Sequence, residues 1–390
     1  MIKQVNILGV TGSIGTSATD ILRTNKGDYR LGAITAHQNS ALLIKYALEF
    51  LPDMVVIGDD KKYHEVKDAL NNTNIIVLAG DAGILQAAIY PCDILLMAIV
   101  GAAALAPTIK AIEQGRTIAL ANKECLVCAG DIICEKVKEH NAQLLPVDSE
   151  HNAIFQVFDD KNRDDIRRLI LTASGGPFLN LSYDEMQHVT PEQALKHPNW
   201  SMGDKISIDS ASMMNKGLEI IEAHYLFSMP PDKIDVIVHP SSTLHSFVEY
   251  VDGSLLAQLG PTDMKVAIGY ALSYPRRMDL QTHISYLDLA KIGALHFYAP
   301  DEKRFPALKL ARDVLGLYKG AGTVLNASNE MAVQAYINKQ IGFLDIVNIC
   351  RDILDSQSPL SDLYSVDDVI ALDADTRRNT NILIDKKYKL

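Results

Sequence analysis

Apolar residues recur along this chain in two rhythms. Short runs rich in Val, Ile and Leu fall at 5–8, 29–35, 54–58, 75–79, 93–100, 117–121 and 142–147, separated by stretches of helical periodicity. Runs of that length, bounded by turn residues, read as buried strands, and their alternation with helices predicts a parallel, doubly wound sheet. A further strand is expected at 169–173, and another apolar strand ends at His239. Residues 274–305, rich in charge, Pro and His, read as a linker. Beyond it the strand pattern stops, and 307–317, 323–339, 342–356 and 366–384 carry amphipathic helical spacing, which predicts a small helical bundle.

The first strand runs into Gly9-Val10-Thr11-Gly12-Ser13-Ile14-Gly15 and then an amphipathic stretch. Strand, glycine turn and helix together form the phosphate-cradling unit of dinucleotide-binding folds, because the backbone can approach a pyrophosphate and helix N–H groups can bind it. The spacing is G-x-x-G-x-x-G, not the commoner G-x-G-x-x-G. The second strand ends in His37-Gln38-Asn39 without an acid, which argues against NAD and permits NADP. The predicted fold is therefore α/β. An N-terminal Rossmann-like parallel-sheet domain spans 1–147, and a central α+β catalytic domain spans 148–274 with a lid loop at 197–203. A linker follows at 275–305 and a C-terminal four-helix bundle at 306–390.

Several polar groups stand where such a sheet would bind ligands. Asn122-Lys123-Glu124 follows the sixth strand. Asp148 and Glu150 follow the seventh, and in extended backbone residues two apart face the same side, so both carboxylates converge with Ser149 turned away. Converging carboxylates suit a hard divalent cation such as Mg²⁺ or Mn²⁺. Ser174-Gly175-Gly176 forms a small-residue loop able to admit an anion, and 196–203 holds the only tryptophan, Trp200, between Pro and Gly punctuation that suits a lid. Read as one helix, Ser212, Asn215, Lys216 and Glu219 share a face fit for a phosphorylated, metal-bound ligand, with Glu219 the third metal ligand. His239 and His245 read either as partners of a carboxylate ligand or as satisfied core histidines.

Composition narrows the classes. The chain has 390 residues, 48% hydrophobic and 22% charged, with a formal net charge of −11. That balance fits a globular protein of two or three domains and argues against a nucleic-acid surface. The longest apolar run, 94–107, is too short to span a bilayer, and no signal peptide is evident. Five cysteines suggest reduced thiols in a cytoplasm, and Cys125 and Cys128 read as a coincidence of helix spacing.

Taken in order, G-V-T-G-S-I-G, A-N-K-E, V-D-S-E-H-N-A-I-F-Q, A-S-G-G-P-F, H-P-N-W-S-M-G, M-N-K-G-L-E and L-N-A-S-N-E resemble the 1-deoxy-D-xylulose 5-phosphate reductoisomerase family. The resemblance implies conversion of 1-deoxy-D-xylulose 5-phosphate to 2-C-methyl-D-erythritol 4-phosphate with NADPH and a divalent metal, by skeletal rearrangement and then hydride reduction. It also implies a homodimer and inhibition by fosmidomycin. Carried over by motif, Thr11, Gly12, Ser13, Ile14, His37, Gln38, Asn39, Asn122, Glu124 and Gly203 would meet the cofactor. Asp148, Glu150 and Glu219 would hold the metal. Ser174, Ser210, Asn215 and Lys216 would grip the substrate phosphate, with Lys123, Ser149, His197 and Trp200 beside the substrate. His37-Gln38-Asn39 stands where the family carries Gly-Lys-Asn, so the lysine that would meet a 2′-phosphate is missing. Two other functions fit parts of the pattern: a metal-dependent phosphosugar aldolase or isomerase whose glycine loop is structural, and a non-catalytic NADP-binding sensor.

Overall fold

The structure, a computed structural model, describes residues 2–198, 200, 202–356 and 365–389. The chain divides into two compact units. One comprises Met1–Cys125, Ile133–Asn152 and Asp263–Tyr286, the other Leu126–Ile132, Ala153–Thr262 and Leu287–Leu390.

The first unit alternates β1 (Lys3–Leu8), α1 (Ser13–Thr24), β2 (Tyr29–Ala36), α2 (Ser40–Phe50), β3 (Met54–Ile57), α3 (Tyr63–Ala69), β4 (Ile76–Ala79), α4 (Gly80–Ile89), β5 (Ile94–Met97), α5 (Leu105–Ile112), β6 (Thr117–Leu120), α6 (Lys123–Glu139) and β7 (Gln143–Pro146), and α7 (Ser149–Val157) begins in it. The strands form one parallel sheet in the order β4-β3-β2-β1-β5-β6-β7. Val5, Ile7, Ile34, Val55, Leu95 and Ile118 are completely buried. Parallel strands covered on both faces need continuous apolar runs, and this is the pattern the sequence displays. Strand order reverses between β1 and β5, which sets a ligand crevice beyond their C-terminal ends.

The second unit contains β8 (Ile166–Ala173), the short helices α8 (Tyr183–Met186) and α9 (Pro191–Ala194), α10 (Asp204–Ala211), α11 (Met214–Phe227), β9 (Ile234–Val238), β10 (Leu244–Tyr250) and β11 (Leu255–Leu259). These strands form a sheet in the order β11-β10-β8-β9, with β8 and β9 parallel and β10 antiparallel to both its neighbours. The chain then returns to the first unit as α12 (Met264–Ser273), which packs on α1, β6 and β7 and buries Ala267, Ile268, Ala271 and Leu272. It completes the second unit with α13 (Leu289–Ile292), α14 (Ala307–Leu315), α15 (Ala321–Ile337), α16 (Asp345–Ser356) and α17 (Val366–Leu383). α14 packs on α11, and α15 packs on both α16 and α17. No helix among the described residues is long and apolar enough to cross a membrane.

Three local expectations change. The units are interleaved, not consecutive as the sequence suggests, because α12 carries its apolar face back to α1. Residues 148–150 are not extended. Asn152 N–H donates to the Asp148 carbonyl at 2.8 Å, so Asp148 caps α7 and Ser149 and Glu150 lie in its first turn. Ser212 ends α10, and Met213, in left-handed conformation at φ 62°, separates it from α11, so Ser212 is not on the helix of Asn215 and Glu219.

Candidate active site

In the first unit the glycine loop sits at the switch point. Gly9 has φ 94°, and a Cβ there would lie 2.5 Å from the Ala98 carbonyl oxygen, so no larger residue fits beside the end of β5. A Cβ on Gly15 would lie 2.4 Å from the Gly9 carbonyl oxygen, which makes the second close approach of the turn equally dependent on glycine. Thr35, absent from the expected site, pins this loop. Its hydroxyl accepts from Gly9 N–H at 3.0 Å, and its carbonyl accepts from Val10 N–H at 2.8 Å. Gly12 precedes α1 without a side-chain cap, and the first turn has no acid. Thr11, Gly12, Ser13 and Ile14 are all at least partly exposed. Exposed N–H groups at a helix start, with no competing carboxylate, suit a phosphate.

The end of β2 behaves differently. His37, Gln38 and Asn39 are exposed, but the Asn39 side chain is committed to capping α2, accepting from Leu42 N–H at 3.1 Å. Gly58 and Asp59 donate their N–H groups to the carbonyls of Ala36 and His37 at 2.7 and 2.8 Å, tying this loop to the end of β3. The Asn39 side chain is thus occupied by its cap, while His37 is tied in through its backbone carbonyl.

Asn122 holds the neighbouring strand ends together. Its Oδ1 accepts from Cys125 N–H at 2.8 Å to cap α6, and its Nδ2 donates to the carbonyls of Ile99 and Gly101 at 2.7 and 2.9 Å. Glu124 follows in the first turn. Lys123, nearly buried, forms an ion pair with Asp148. The Ser149 hydroxyl donates to Glu150 Oε2 at 2.5 Å. Capping of two adjacent helices thus brings Lys123, Asp148, Ser149 and Glu150 together. Cys125 and Cys128 are buried on α6, and all five cysteines are free thiols.

In the second unit the loop after β8 meets the end of α10. Gly175 and Gly176 have φ 84° and 66°, and a Cβ on Gly176 would lie 2.6 Å from the Ser210 carbonyl oxygen. Ser174 Oγ lies 2.9 Å from His197 Nε2 and accepts from Gly176 N–H at 3.2 Å. Trp200 N–H donates to His197 Nδ1 at 3.0 Å. That bond fixes the tautomer: Nδ1 is the acceptor, so Nε2 carries the proton and donates to Ser174. With two donors already on its oxygen, Ser174 has its own O–H to offer to an acceptor. Burial holds the His197 imidazole below the usual histidine range, which keeps it neutral. Trp200 is half-buried, with its ring 6.3 Å from that of His245. The expected lid also includes Asn199 and Ser201, which lie outside the described residues, and Gly203 opens α10.

α11 begins with Asn215 and Lys216 in its first turn. Glu219, completely buried, receives Asn215 Nδ2 on one oxygen and the Lys216 ammonium on the other. A buried carboxylate persists only with such partners. His239 is a satisfied core histidine, its ring nitrogens bonded to the His296 carbonyl and Ser241 hydroxyl at 2.8 and 3.0 Å. The structure therefore gathers Ser174, His197, Ser210, Asn215 and Lys216 in one unit. Lys123, Asp148, Ser149 and Glu150 gather near the glycine loop's sheet ends in the other.

This chain matches three family models: 1-deoxy-D-xylulose 5-phosphate reductoisomerase over residues 5–130, its C-terminal domain over 144–227, and the DXP reductoisomerase C-terminal domain over 259–379. It is 52% identical over 377 residues to the 1-deoxy-D-xylulose 5-phosphate reductoisomerase of Rhodospirillum centenum, covering 97% of this chain and 93% of that protein. The Sinorhizobium medicae enzyme of the same name is 50% identical, with 96% of each chain covered. The solved structure of the Zymomonas mobilis reductoisomerase in complex with NADPH superposes with TM-score 0.94 at 45% identity, covering 99% of this chain and 100% of that one. A DOX-P reductoisomerase in complex with NADPH, fosmidomycin and magnesium superposes with TM-score 0.92 at 41% identity over 98% of each chain. Likeness so deep and so nearly end to end has one meaning: the chain belongs to the 1-deoxy-D-xylulose 5-phosphate reductoisomerase family.

Proposed function

We propose that this chain converts 1-deoxy-D-xylulose 5-phosphate to 2-C-methyl-D-erythritol 4-phosphate, a skeletal rearrangement followed by hydride reduction, in the non-mevalonate isoprenoid pathway. The observation that carries the proposal is the close approach of the Ser174-Gly175-Gly176 loop, its Ser174 bonded to His197, to Ser210 at the α10–α11 turn, with Asn215 and Lys216 in the first turn of the next helix. Hydroxyl, amide and ammonium donors so placed suit the dianionic end of a sugar phosphate. A non-redox aldolase or a sensor would have no use for this cluster together with an open glycine loop at a switch point.

Thr11, Gly12, Ser13 and Ile14 hold the NADPH pyrophosphate, with Asn122, Glu124, Gly203, His37, Gln38 and Asn39 along the cofactor. Asp148, Glu150 and Glu219 offer oxygen donors only, the set that Mg²⁺ or Mn²⁺ takes. When bound, the ion polarises substrate oxygens and NADPH provides hydride. Lys123 and Ser149 hold Asp148 and Glu150 in place and contact the substrate. Ser174 donates its O–H to a phosphate oxygen, and neutral His197 orients that hydroxyl. Anchoring the phosphate keeps the fragments of the rearranging skeleton in register. Trp200 covers the substrate with a flat apolar ring and limits water.

NADPH oxidation followed at the nicotinamide absorbance tests the proposal. Turnover should require both 1-deoxy-D-xylulose 5-phosphate and the divalent ion, and a chelator should stop it. Rearranged product without NADPH consumption would sink the reading.

We also propose a homodimer. β11 is a sheet edge paired to β10, and its Leu255 and Leu256 are 53% and 47% exposed, an arrangement another copy's edge would cover. The free thiols accord with a cytoplasmic setting.

A further inference from the structure

The L-N-A-S-N-E segment has no part in the site as described, yet it reaches the site's frame. On α15, completely buried Asn329 donates its Nδ2 to Asp209 Oδ1 at 2.8 Å. Asp209, 1% exposed near the end of α10, has its other oxygen 2.8 Å from the Lys205 ammonium. Both carboxylate oxygens are thereby held, one by the opposing helix and one by a residue a turn earlier on its own.

Asp209 sits at the root of the α10–α11 turn. Its carbonyl accepts from the Ser212 hydroxyl at 3.3 Å, and Ser210 follows it directly. Ser210 O accepts from Met213 N–H at 3.2 Å, and Met213 turns left-handed before α11 starts. A non-glycine residue with positive φ is strained and persists only where its surroundings fix it. α15, itself packed on α16 and α17, provides that fixed surrounding. An apolar pair would pack here without the cost of burying a carboxylate, so the buried pair is better explained by the geometry it sets than by stability.

We infer that Asn329 is a positioning residue for the substrate phosphate: through its hydrogen bond to Asp209 it fixes the turn that carries Ser210, Asn215 and Lys216. The inference rests on the reading that those three residues hold the phosphate. Asn329 touches neither substrate nor cofactor in this role. Among the described residues its buried amide oxygen has no hydrogen-bond partner, so the bond to Asp209 is what orients the amide.

The test compares Asn329→Leu, which keeps the volume and removes the donor, with the exchanged pair Asp209→Asn/Asn329→Asp, which restores donor against acceptor. For each, the KM for 1-deoxy-D-xylulose 5-phosphate, the inhibition constant of inorganic phosphate, kcat, the NADPH dissociation constant and the melting temperature are measured. Asn329→Leu should raise both KM and the phosphate inhibition constant about tenfold, the worth of one hydrogen bond to a charged group, and leave NADPH binding unchanged. The exchanged pair should recover most of that loss. If Asn329→Leu does not fold, Asn329→Ser carries the same expectation. A lowered melting temperature with KM and phosphate inhibition unaltered would overturn the inference. Lys216→Ala separates the two layers. If it weakens phosphate inhibition and Asn329→Leu does not, only the positioning role falls; if Lys216→Ala has no effect on phosphate, the phosphate site itself is misassigned.

Discussion

At the residue scale, His197 shows how a loop can set a proton. Trp200 N–H claims Nδ1, and the remaining proton is aimed at Ser174. Its folded pKa is lowered by burial, so the sign is fixed: the neutral ring's contribution is full above the usual histidine value and is lost as pH falls through the folded one. Acidification puts a proton on Nδ1, which then faces Trp200 donor to donor. Trp200 is the chain's sole tryptophan, so its fluorescence should titrate with a midpoint below about 6.5, and His197→Gln should abolish the transition. A midpoint at or above that value would remove the tautomer argument. Gln38 makes a second residue-scale prediction, which follows from its proposed place beside the cofactor. Gln38→Lys should tighten NADPH roughly tenfold by calorimetry and leave NADH unchanged. Equal gains for both cofactors would show that residue 38 does not meet that phosphate. For the metal, Asp148→Ala and Glu150→Ala should each remove most of the metal-dependent rate and spare NADPH binding. Glu219 calls for Gln, since Ala would take the carboxylate from the buried Lys216 ammonium, a loss of about 3–5 kcal/mol. Normal metal dependence in Glu219→Gln would exclude it as a ligand.

At the element scale, strands were legible where burial on both faces writes an uninterrupted apolar run, as in β1 to β7. Helices α14 to α17 were legible by period, with ends a few residues away from those expected. Legibility failed where polar residues are buried. β10 carries His245, Ser246 and Glu249 inside, Glu249 being paired with Arg167 and Arg168, so alternation is masked. It failed again at 148–150, where a helix cap mimics a strand end. The candidate ligands were readable from residue type, but Thr35 and Asn329 were not, since each acts on a partner far along the chain. The turn between β1 and α1 carries a prediction of its own. Gly15→Ala would drive a methyl into the Gly9 carbonyl, so the loop must open. NADPH affinity should fall by more than about tenfold, with a stability loss of about 1–3 kcal/mol by denaturant titration. Retained affinity would mean that the loop is not the pyrophosphate cradle.

At the scale of the whole molecule, β11 predicts an assembly. Leu256→Lys on the exposed edge should shift sedimentation toward a monomer if two copies pair there, and an unchanged dimer would place the interface elsewhere. The return of α12 to the first unit has a consequence for how the molecule is made. During synthesis the parallel sheet emerges early, but the helix that covers α1 is encoded more than a hundred residues later. Until it arrives, α1 lacks the helix that brings buried Ile268 and Leu272, side chains worth about 1.5–3 kcal/mol each on burial. That face of the first unit must therefore wait, uncovered, while the entire β8–β11 segment is translated between the sheet and the helix that completes it. A chain ending at residue 152 should bind a hydrophobic dye and be cut readily by protease, and a peptide of residues 263–286 added to it should suppress both.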